Sequence, residues 1–240
     1  SSFFRYFASG MALILNIESS TTVCSVSLGQ DGVVLFSREV DEGYSHAENL
    51  AVFVDEVLKA KGITTRELDA VSVSRGPGSY TGLRIGVSLA KGLCYGGEVP
   101  LLSIDTLQLM CLHPLVQKQF AEGEAVLCPM LDARRMEVYA AIYDSTLHIQ
   151  REVAPVILEE DSFQEELKNG KVIFFGNGSD KFRELVNHPN ANFVAEVRPS
   201  ALLMASLSEE AYQQSAFEDV AYFEPFYLKA FQGTTPKKRF

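Results

Sequence analysis

Leu68-Asp69-Ala70-Val71-Ser72-Val73-Ser74-Arg75-Gly76-Pro77-Gly78-Ser79-Tyr80-Thr81-Gly82-Leu83-Arg84-Ile85-Gly86 is the stretch on which the fold turns. Leu68 to Ser74 reads as a core strand, and it runs without a spacer into a glycine-rich turn. A helix follows to about Tyr95. Glycines at a strand-to-helix junction let the backbone turn tightly and approach a neighbour, and the helix N-terminus points free N–H groups at whatever sits there. The turn is not a Walker A loop, because no Lys-Ser/Thr follows the glycine. It is not a dinucleotide fingerprint either, because the glycine spacing and the following acid are absent. Gly82, Gly86 and Ala90 fall four apart and form a flat stripe that another helix can approach, with Leu83, Val87 and Leu93 beside it. The glycines serve either packing or a ligand.

Upstream of this stretch lie three short apolar segments, Leu13–Ile17, Cys24–Leu28 and Val33–Val40, joined by tight polar turns. A helix follows, with Ser45 and Glu48 in capping-box spacing and Gly62 at its C-terminal end. Its apolar positions Ala47, Leu50, Ala51, Phe53, Val54, Val57 and Leu58 spread over roughly 180°, against the ~100° that one core requires. That breadth fits two buried faces, or a helix clamped within its own fold. A further strand, Val99–Ile104, completes the order β-β-β-α-β-α-β.

The second half repeats the order. Strands are expected at Val126–Leu131, Val138–Tyr143, Leu147–Val153, Lys171–Phe175 and Asn192–Val197, and helices at Asp161–Lys168, after Gly176 and over Ser200–Ser215. Both halves hold a strand that feeds a G-x-G-S turn, Gly76-Pro77-Gly78-Ser79 and Gly176-Asn177-Gly178-Ser179. Two β-β-β-α-β-α units predict a duplicated α/β fold of the actin-like ATPase, ribonuclease H-like class. The expected organisation is a non-native or disordered extension at 1–10, a first lobe at 11–107, a second lobe at 108–218, a segment 219–230 returning to the first lobe, and a flexible basic tail at 231–240.

The 240 residues, 47% hydrophobic and 22% charged, suit a globular protein with a substantial core. A net charge of −10 repels a nucleic-acid backbone, so any RNA is expected to meet its positive surface on another subunit. Cys24, Cys94, Cys111 and Cys128 form no CxxC pair, which suits a reducing, cytoplasmic setting. No apolar run reaches the roughly 20 residues of a membrane span. His46, His113, His148 and His188 are scattered, so no histidine metal site is expected. Ile17-Glu18-Ser19-Ser20-Thr21-Thr22 is a hydroxyl-rich turn between strands. It is read either as a phosphate cradle with Glu18 toward a metal, or as an ordinary hairpin turn. Pro236-Lys237-Lys238-Arg239-Phe240 is a solvated tail or a contact with RNA or an acidic partner.

Taken together, Ile14–Ser20, Ser45-His46-Ala47-Glu48, Arg75–Gly86, Leu131-Asp132-Ala133-Arg134-Arg135-Met136-Glu137-Val138-Tyr139 and Pro225-Phe226-Tyr227-Leu228-Lys229 resemble the bacterial TsaB (YeaZ) family, from Met11 to about Lys229. The resemblance implies a non-catalytic partner of TsaD, the paralogue that forms N6-threonylcarbamoyladenosine at position 37 of tRNA. It implies a TsaE-like ATPase in the same assembly, a homodimer through a similar surface, and tRNA reached only through the complex. It implies a partner interface on the first two helices, at His46, Leu50, Phe53, Val54, Val57, Leu58, Gly82, Leu83, Gly86, Val87, Ala90 and Leu93. Val54→Arg or Leu50→Glu is accordingly expected to weaken partner binding. TsaD-like catalysts carry a histidine pair where this chain has Thr106 and Met110, which points away from transferase activity here. No cofactor is expected beyond ATP or ADP at a subunit interface. The candidate nucleotide contacts are Glu18, Ser19, Ser20, Gly76, Gly78 and Ser79, and no catalytic residue or metal ligand is assigned. The competing readings are an actin-like-fold ATPase or small-molecule kinase, and a homodimer with a regulatory role.

Overall fold

The structure, a computed structural model, describes residues 12–41, 46–120 and 124–228, with the side chains of 46 and 47 outside that set. The expected extension at 1–10, the cap at Ser45 and the basic tail at 231–240 lie outside the described residues.

The three apolar segments form an antiparallel meander of β1 (Leu13–Glu18), β2 (Cys24–Gln30) and β3 (Val33–Val40). Then come α1 (His46–Lys61), β4 (Ala70–Gly76), α2 (Tyr80–Gly97) and β5 (Leu101–Asp105). The strand order is β3-β2-β1-β4-β5, with β4 parallel to β1 and β5 parallel to β4. Strands β1 and β2 are buried along nearly their whole length. That requires cover on both faces of the sheet: α1 and α2 supply it on one side, and a late helix on the other.

Two short helices that periodicity did not predict, α3 (Thr106–Met110) and α4 (Pro114–Phe120), lead into the second half. It comprises β6 (Ala125–Asp132), β7 (Glu137–Tyr143), β8 (Ile149–Ile157), α5 (Gln164–Asn169), β9 (Lys171–Phe175), α6 (Ser179–Leu185) and β10 (Ala191–Val194). Its strand order, β10-β9-β6-β7-β8, is that of the first sheet read from the opposite edge, again with an antiparallel meander and two parallel additions. The chain is therefore a duplicated ribonuclease H-like fold. Phe163, Phe174 and Phe182 fill one side of the second sheet, with ring centroids 5.0–5.6 Å apart and edge-to-face geometry.

The long helix expected over Ser200–Ser215 is split into a 3₁₀ turn at Ala201–Leu203 and α7 (Ala205–Gln213). The Ser200 hydroxyl accepts from the Leu202 amide at 3.2 Å and caps the 3₁₀ turn. Helix α7 is the late cover. It crosses back to the first sheet and packs on β1, β2 and β5. A buried polar network joins it there. Ser208 Oγ donates to Asn16 Oδ1 at 2.6 Å and shares a hydrogen bond with Ser72 Oγ at 2.9 Å. Asn16 Nδ2 donates to Ser27 Oγ at 3.2 Å, and Ser27 Oγ donates to the Ala201 carbonyl at 2.7 Å. Such a network is tolerated inside a core because its members are mutually satisfied.

Beyond α7 the chain runs back along the first lobe. The Glu218 amide donates to the Leu101 carbonyl at 2.8 Å, and Ser103 Oγ donates to Glu218 Oε1 at 2.5 Å. Lys91 Nζ donates to the Ala221 carbonyl at 3.1 Å. Phe223 enters the core beneath α1 and α2. The Phe226 amide donates to the Arg75 carbonyl at 2.7 Å, which brings this strap to the gap between the lobes.

Candidate functional site: the interlobe cleft and the outer helices

The turns that leave β1 and β6, the start of α2 and the end of the strap enclose a cleft of about 670 Å³. The two G-x-G-S turns build its walls for a steric reason. Gly76 and Gly176 hold φ of 105° and 95°, a region that L side chains rarely adopt. A Cβ on Gly78 or Gly82 would collide with the carbonyl oxygen of Ser20 or Ser19, and one on Gly86 would collide with the Ser19 hydroxyl. The first-lobe glycines thus exist to let the Ser19–Ser20 turn sit on α2. Ser19 Oγ donates to the Gly82 carbonyl at 2.9 Å, and the Ser79 amide donates to the Ser20 carbonyl at 2.6 Å. Ser79 Oγ accepts from the Gly82 amide at 3.2 Å and caps α2.

This packing divides the six candidate nucleotide contacts. Ser20, Gly78 and Ser79 line the cleft, whereas Glu18, Ser19 and Gly76 lie behind it. Glu18 is sealed beneath the turn at 0% exposure, and its Oε1 accepts from the Ser20 amide at 2.5 Å. Burial raises its pKa above the ordinary 4.5, outweighing the Ser19, Ser20 and Ser74 contacts that favour the charged form. Glu18 thus lies beneath the turn, behind the residues that line the cleft. A stability consequence follows. A carboxyl raised in the folded state holds a proton that the unfolded chain gives up near 4.5. Stability should then fall as pH climbs from that value through the folded pKa, by up to about 1.4 kcal/mol per pH unit. Glu18→Gln is expected to flatten this slope, as read by urea denaturation at pH 5 and pH 8; an unchanged slope would show that Glu18 does not carry it.

The second lobe presents a different turn. Asp132 ends β6, and its carboxylate accepts from Lys181 Nζ at 2.5 Å and from the Arg134 amide at 2.6 Å. Asn177 Oδ1 accepts from the Asp132 amide at 2.9 Å, and Lys181 Nζ also reaches the Glu137 carbonyl at 3.3 Å. This clamp holds Arg134 and Arg135 at φ of 76° and 50°. Sequence reading missed this conformation, because left-handed backbone is signalled by Gly or Asn and here falls on two arginines. Arg134 lines the cleft, along with Tyr139 and Asn177. Among the described residues no cluster of three His, Cys, Asp or Glu side chains is placed to hold a metal. Thr106 and Met110 are fully buried within α3. All four cysteines are free and buried, and burial pushes Cys24 up to about 11 and Cys94 up to about 12, so both stay as thiols at neutral pH.

The residues expected at a partner interface separate in the same way. Leu50, Val54, Val57 and Leu58 on α1, and Leu83, Val87 and Ala90 on α2, are buried in the first lobe's own core. Gly82 and Gly86 face the Ser19 turn, so the stripe receives a loop backbone and not another helix. Phe53 and Leu93 are partly buried against the same core, and the His46 side chain lies outside the described residues. Leu50, Phe53, Val54, Val57 and Leu58 of the α1 arc are thus spent on one core shared with α2 and the meander, whereas Ala51 is exposed. Val54→Arg or Leu50→Glu would unfold the lobe before reporting on a partner. The outward surface of the two helices carries other residues. Val52 on α1 is 50% exposed and Tyr95 on α2 is 86% exposed. Among the described residues nothing lies within 4 Å of where a Cβ would stand on Gly92 or Gly96, and Ile85 and Leu89 lie half-buried on the same helix.

The family model described as "TsaD: tRNA N6-adenosine threonylcarbamoyltransferase" matches residues 43–233. A curated relative, the "tRNA threonylcarbamoyladenosine biosynthesis protein TsaB" of Escherichia coli, is 28% identical over 222 residues, 90% of this chain and 94% of that protein. The chain belongs to this family, in its TsaB (YeaZ) branch. The solved structure of YeaZ from Pseudomonas aeruginosa has a TM-score of 0.77 at 25% identity, covering 91% of this chain and all of that one. A tRNA N6-adenosine threonylcarbamoyltransferase of Phocaeicola vulgatus is 32% identical over 133 residues, half of this chain and 39% of the enzyme. The likeness to that enzyme thus covers half of the chain, whereas the TsaB likeness spans nearly all of it.

Proposed function

We propose that this chain is a non-catalytic partner subunit of a TsaD-type transferase, acting in the formation of N6-threonylcarbamoyladenosine at position 37 of tRNA. The observation that carries the reading is the outward surface of α1 and α2. Val52 and Tyr95 are exposed there, and Gly92 and Gly96 leave open ground beside Ile85 and Leu89. Large apolar groups next to backbone that a partner helix can approach closely form the kind of anchored core that protein interfaces use. The occupant we assign is the TsaD-like paralogue. A second copy of this chain competes for the same surface in its absence. TsaE and tRNA meet the chain only within that complex, which suits a net charge of −10.

The experiment is threonylcarbamoyl transfer to tRNA by the matching TsaD and TsaE proteins, with and without this chain. Transfer is expected only when the chain is present, together with co-elution of the chain with TsaD. Equal transfer in its absence would overturn the reading. The alternative of an actin-like-fold ATPase using Glu18 has no support in the cleft, because the carboxyl is buried beneath the Ser19–Ser20 turn.

A further inference from the structure

We propose that the basic segment Pro236-Lys237-Lys238-Arg239-Phe240 docks on the second lobe of its own chain, around Ile157 at the open end of the β7–β8 hairpin. The proposal is independent of the partner reading and concerns a surface away from the outward side of α1 and α2.

Strand β8 is an edge strand, with β7 on one side and no described strand on the other. Residues opposite one another in an antiparallel pair share a face of the sheet. Tyr139 stands opposite Pro155 and Glu137 opposite Ile157, so these four lie on one face. Tyr139 and Val153 pack on the core of that face, whereas Ile157 projects beyond it and is 68% exposed. Met136 is 42% exposed beside it, where the Leu158 amide donates to the Met136 carbonyl at 2.7 Å. Two large apolar side chains thus stand uncovered together, and acids border them. Glu159, Glu160 and Asp161 are exposed within four residues of Ile157 and form no ion pair among the described residues.

The occupant follows from charge, from length and from where the described residues stop. Residues 229–240 hold four of the chain's 21 cations and none of its 31 acids, and they include Phe231 and Phe240. Leu228 lies in the interlobe cleft together with Tyr139, the neighbour of Pro155 on the face just described. From Tyr139 to the Glu137–Ile157 pair is two residues along β7, about 7 Å. The eight residues 229–236 span up to about 26 Å when extended, so the basic segment reaches this surface with slack. The cleft itself suits the segment less well. Its one acid among the described residues is Asp132, which Lys181 engages at 2.5 Å, and Arg134 lines the same space. Three cations are therefore drawn past the cleft to the unpaired acids beyond it, with Phe240 against Ile157 and Met136. A patch this small would not hold a separate molecule. Tethering raises the effective concentration of the segment to roughly the mM range, which makes so small a contact sufficient.

The test is tryptic cleavage of the full chain after Lys237, Lys238 and Arg239, timed by mass spectrometry at low salt. Cleavage follows the undocked population, so the wild-type segment is expected to be cut at least about 5-fold more slowly than in the triple variant Glu159→Gln, Glu160→Gln, Asp161→Asn. Ile157→Ser should quicken cleavage in the same direction. Both variants change exposed side chains and should keep the wild-type Tm. Salt at about 0.5 M should bring the wild type to the rate of the triple variant. Carbodiimide coupling, run on a mixture of isotope-labelled and unlabelled protein, should join Lys237 or Lys238 to residues 159–161 within single copies. Equal cleavage rates in the wild type and both variants would overturn the proposal. Coupling to other acids would do the same, as would coupling between labelled and unlabelled copies, which would assign the surface to a second copy's tail.

Discussion

Gly82→Ala is expected to destabilise the protein by roughly 3 kcal/mol, in the range of severe overpacking. The expectation runs against ordinary helix propensity, which favours alanine over glycine inside a helix by about 1 kcal/mol. The reason is local. The missing Cβ points at the Ser19 carbonyl oxygen, which is main chain and has no rotamer to escape into. That main chain is fixed from several directions, by Ser19 Oγ on the Gly82 carbonyl, by the Ser79 amide on the Ser20 carbonyl and by the Ser20 amide on Glu18. Making room for one methyl group therefore means moving the turn off α2 and disturbing the buried carboxyl beneath it. Chemical denaturation of the purified variant measures the loss. A change within about 0.5 kcal/mol of wild type would mean that the turn yields easily and that the close approach is not what requires glycine here.

On the same helix, Gly92→Arg is expected to have the reverse profile. Among the described residues nothing outside the helix lies within 4 Å of a Cβ at Gly92, so a better helix former there should hold or slightly raise the Tm. If the TsaD-like paralogue docks on this surface, an arginine at its centre fills the space a partner helix needs and brings a charge that docking would bury unpaired. Substitutions of that kind at interface centres cost more than about 2 kcal/mol, or about 30-fold in Kd. Co-elution and surface-immobilised binding with the paralogue would show the loss, with Gly92→Ala as a mild counterpart. Normal binding by Gly92→Arg with an intact fold would remove α2 from the interface. The two glycines, ten residues apart on one helix, thus separate a requirement of folding from one of assembly.

The architecture was legible because it rests on local signals. Apolar strand runs, turn residues and the two G-x-G-S junctions mark the β-β-β-α-β-α order twice, and the sheets reproduce it. The short helices α3 and α4 escaped notice because five and seven residues are too few to display a period. The destination of the apolar faces was not legible either. The breadth of α1's arc is the same whether its second side meets a partner or meets α2, and only the packing shows that Val57 and Leu58 stay at home. The Gly82–Gly86–Ala90 stripe likewise advertises close approach without saying to what. Arg134 and Arg135 enter the sequence reading only as part of the Leu131–Tyr139 motif, while their backbone conformation depends on Lys181 and Asn177, more than 40 positions away.

The path of α7 and the strap has a consequence for how the protein is made. The network under the first sheet joins Asn16 to Ser208, 192 positions later in the chain, and Phe223 completes the core that Leu13 begins. As the chain leaves the ribosome, the first lobe must wait with one sheet face bare while the whole second lobe is synthesised and folds. Residues at 205–223 then close a structure begun nearly the full length of the chain earlier. Contacts so far apart in sequence slow folding and prolong the exposure of apolar strands. Ribosome stalling or truncation shortly before residue 205 should therefore yield a nascent protein with an aggregation-prone first half and a second half that lacks only the Leu207 part of its core.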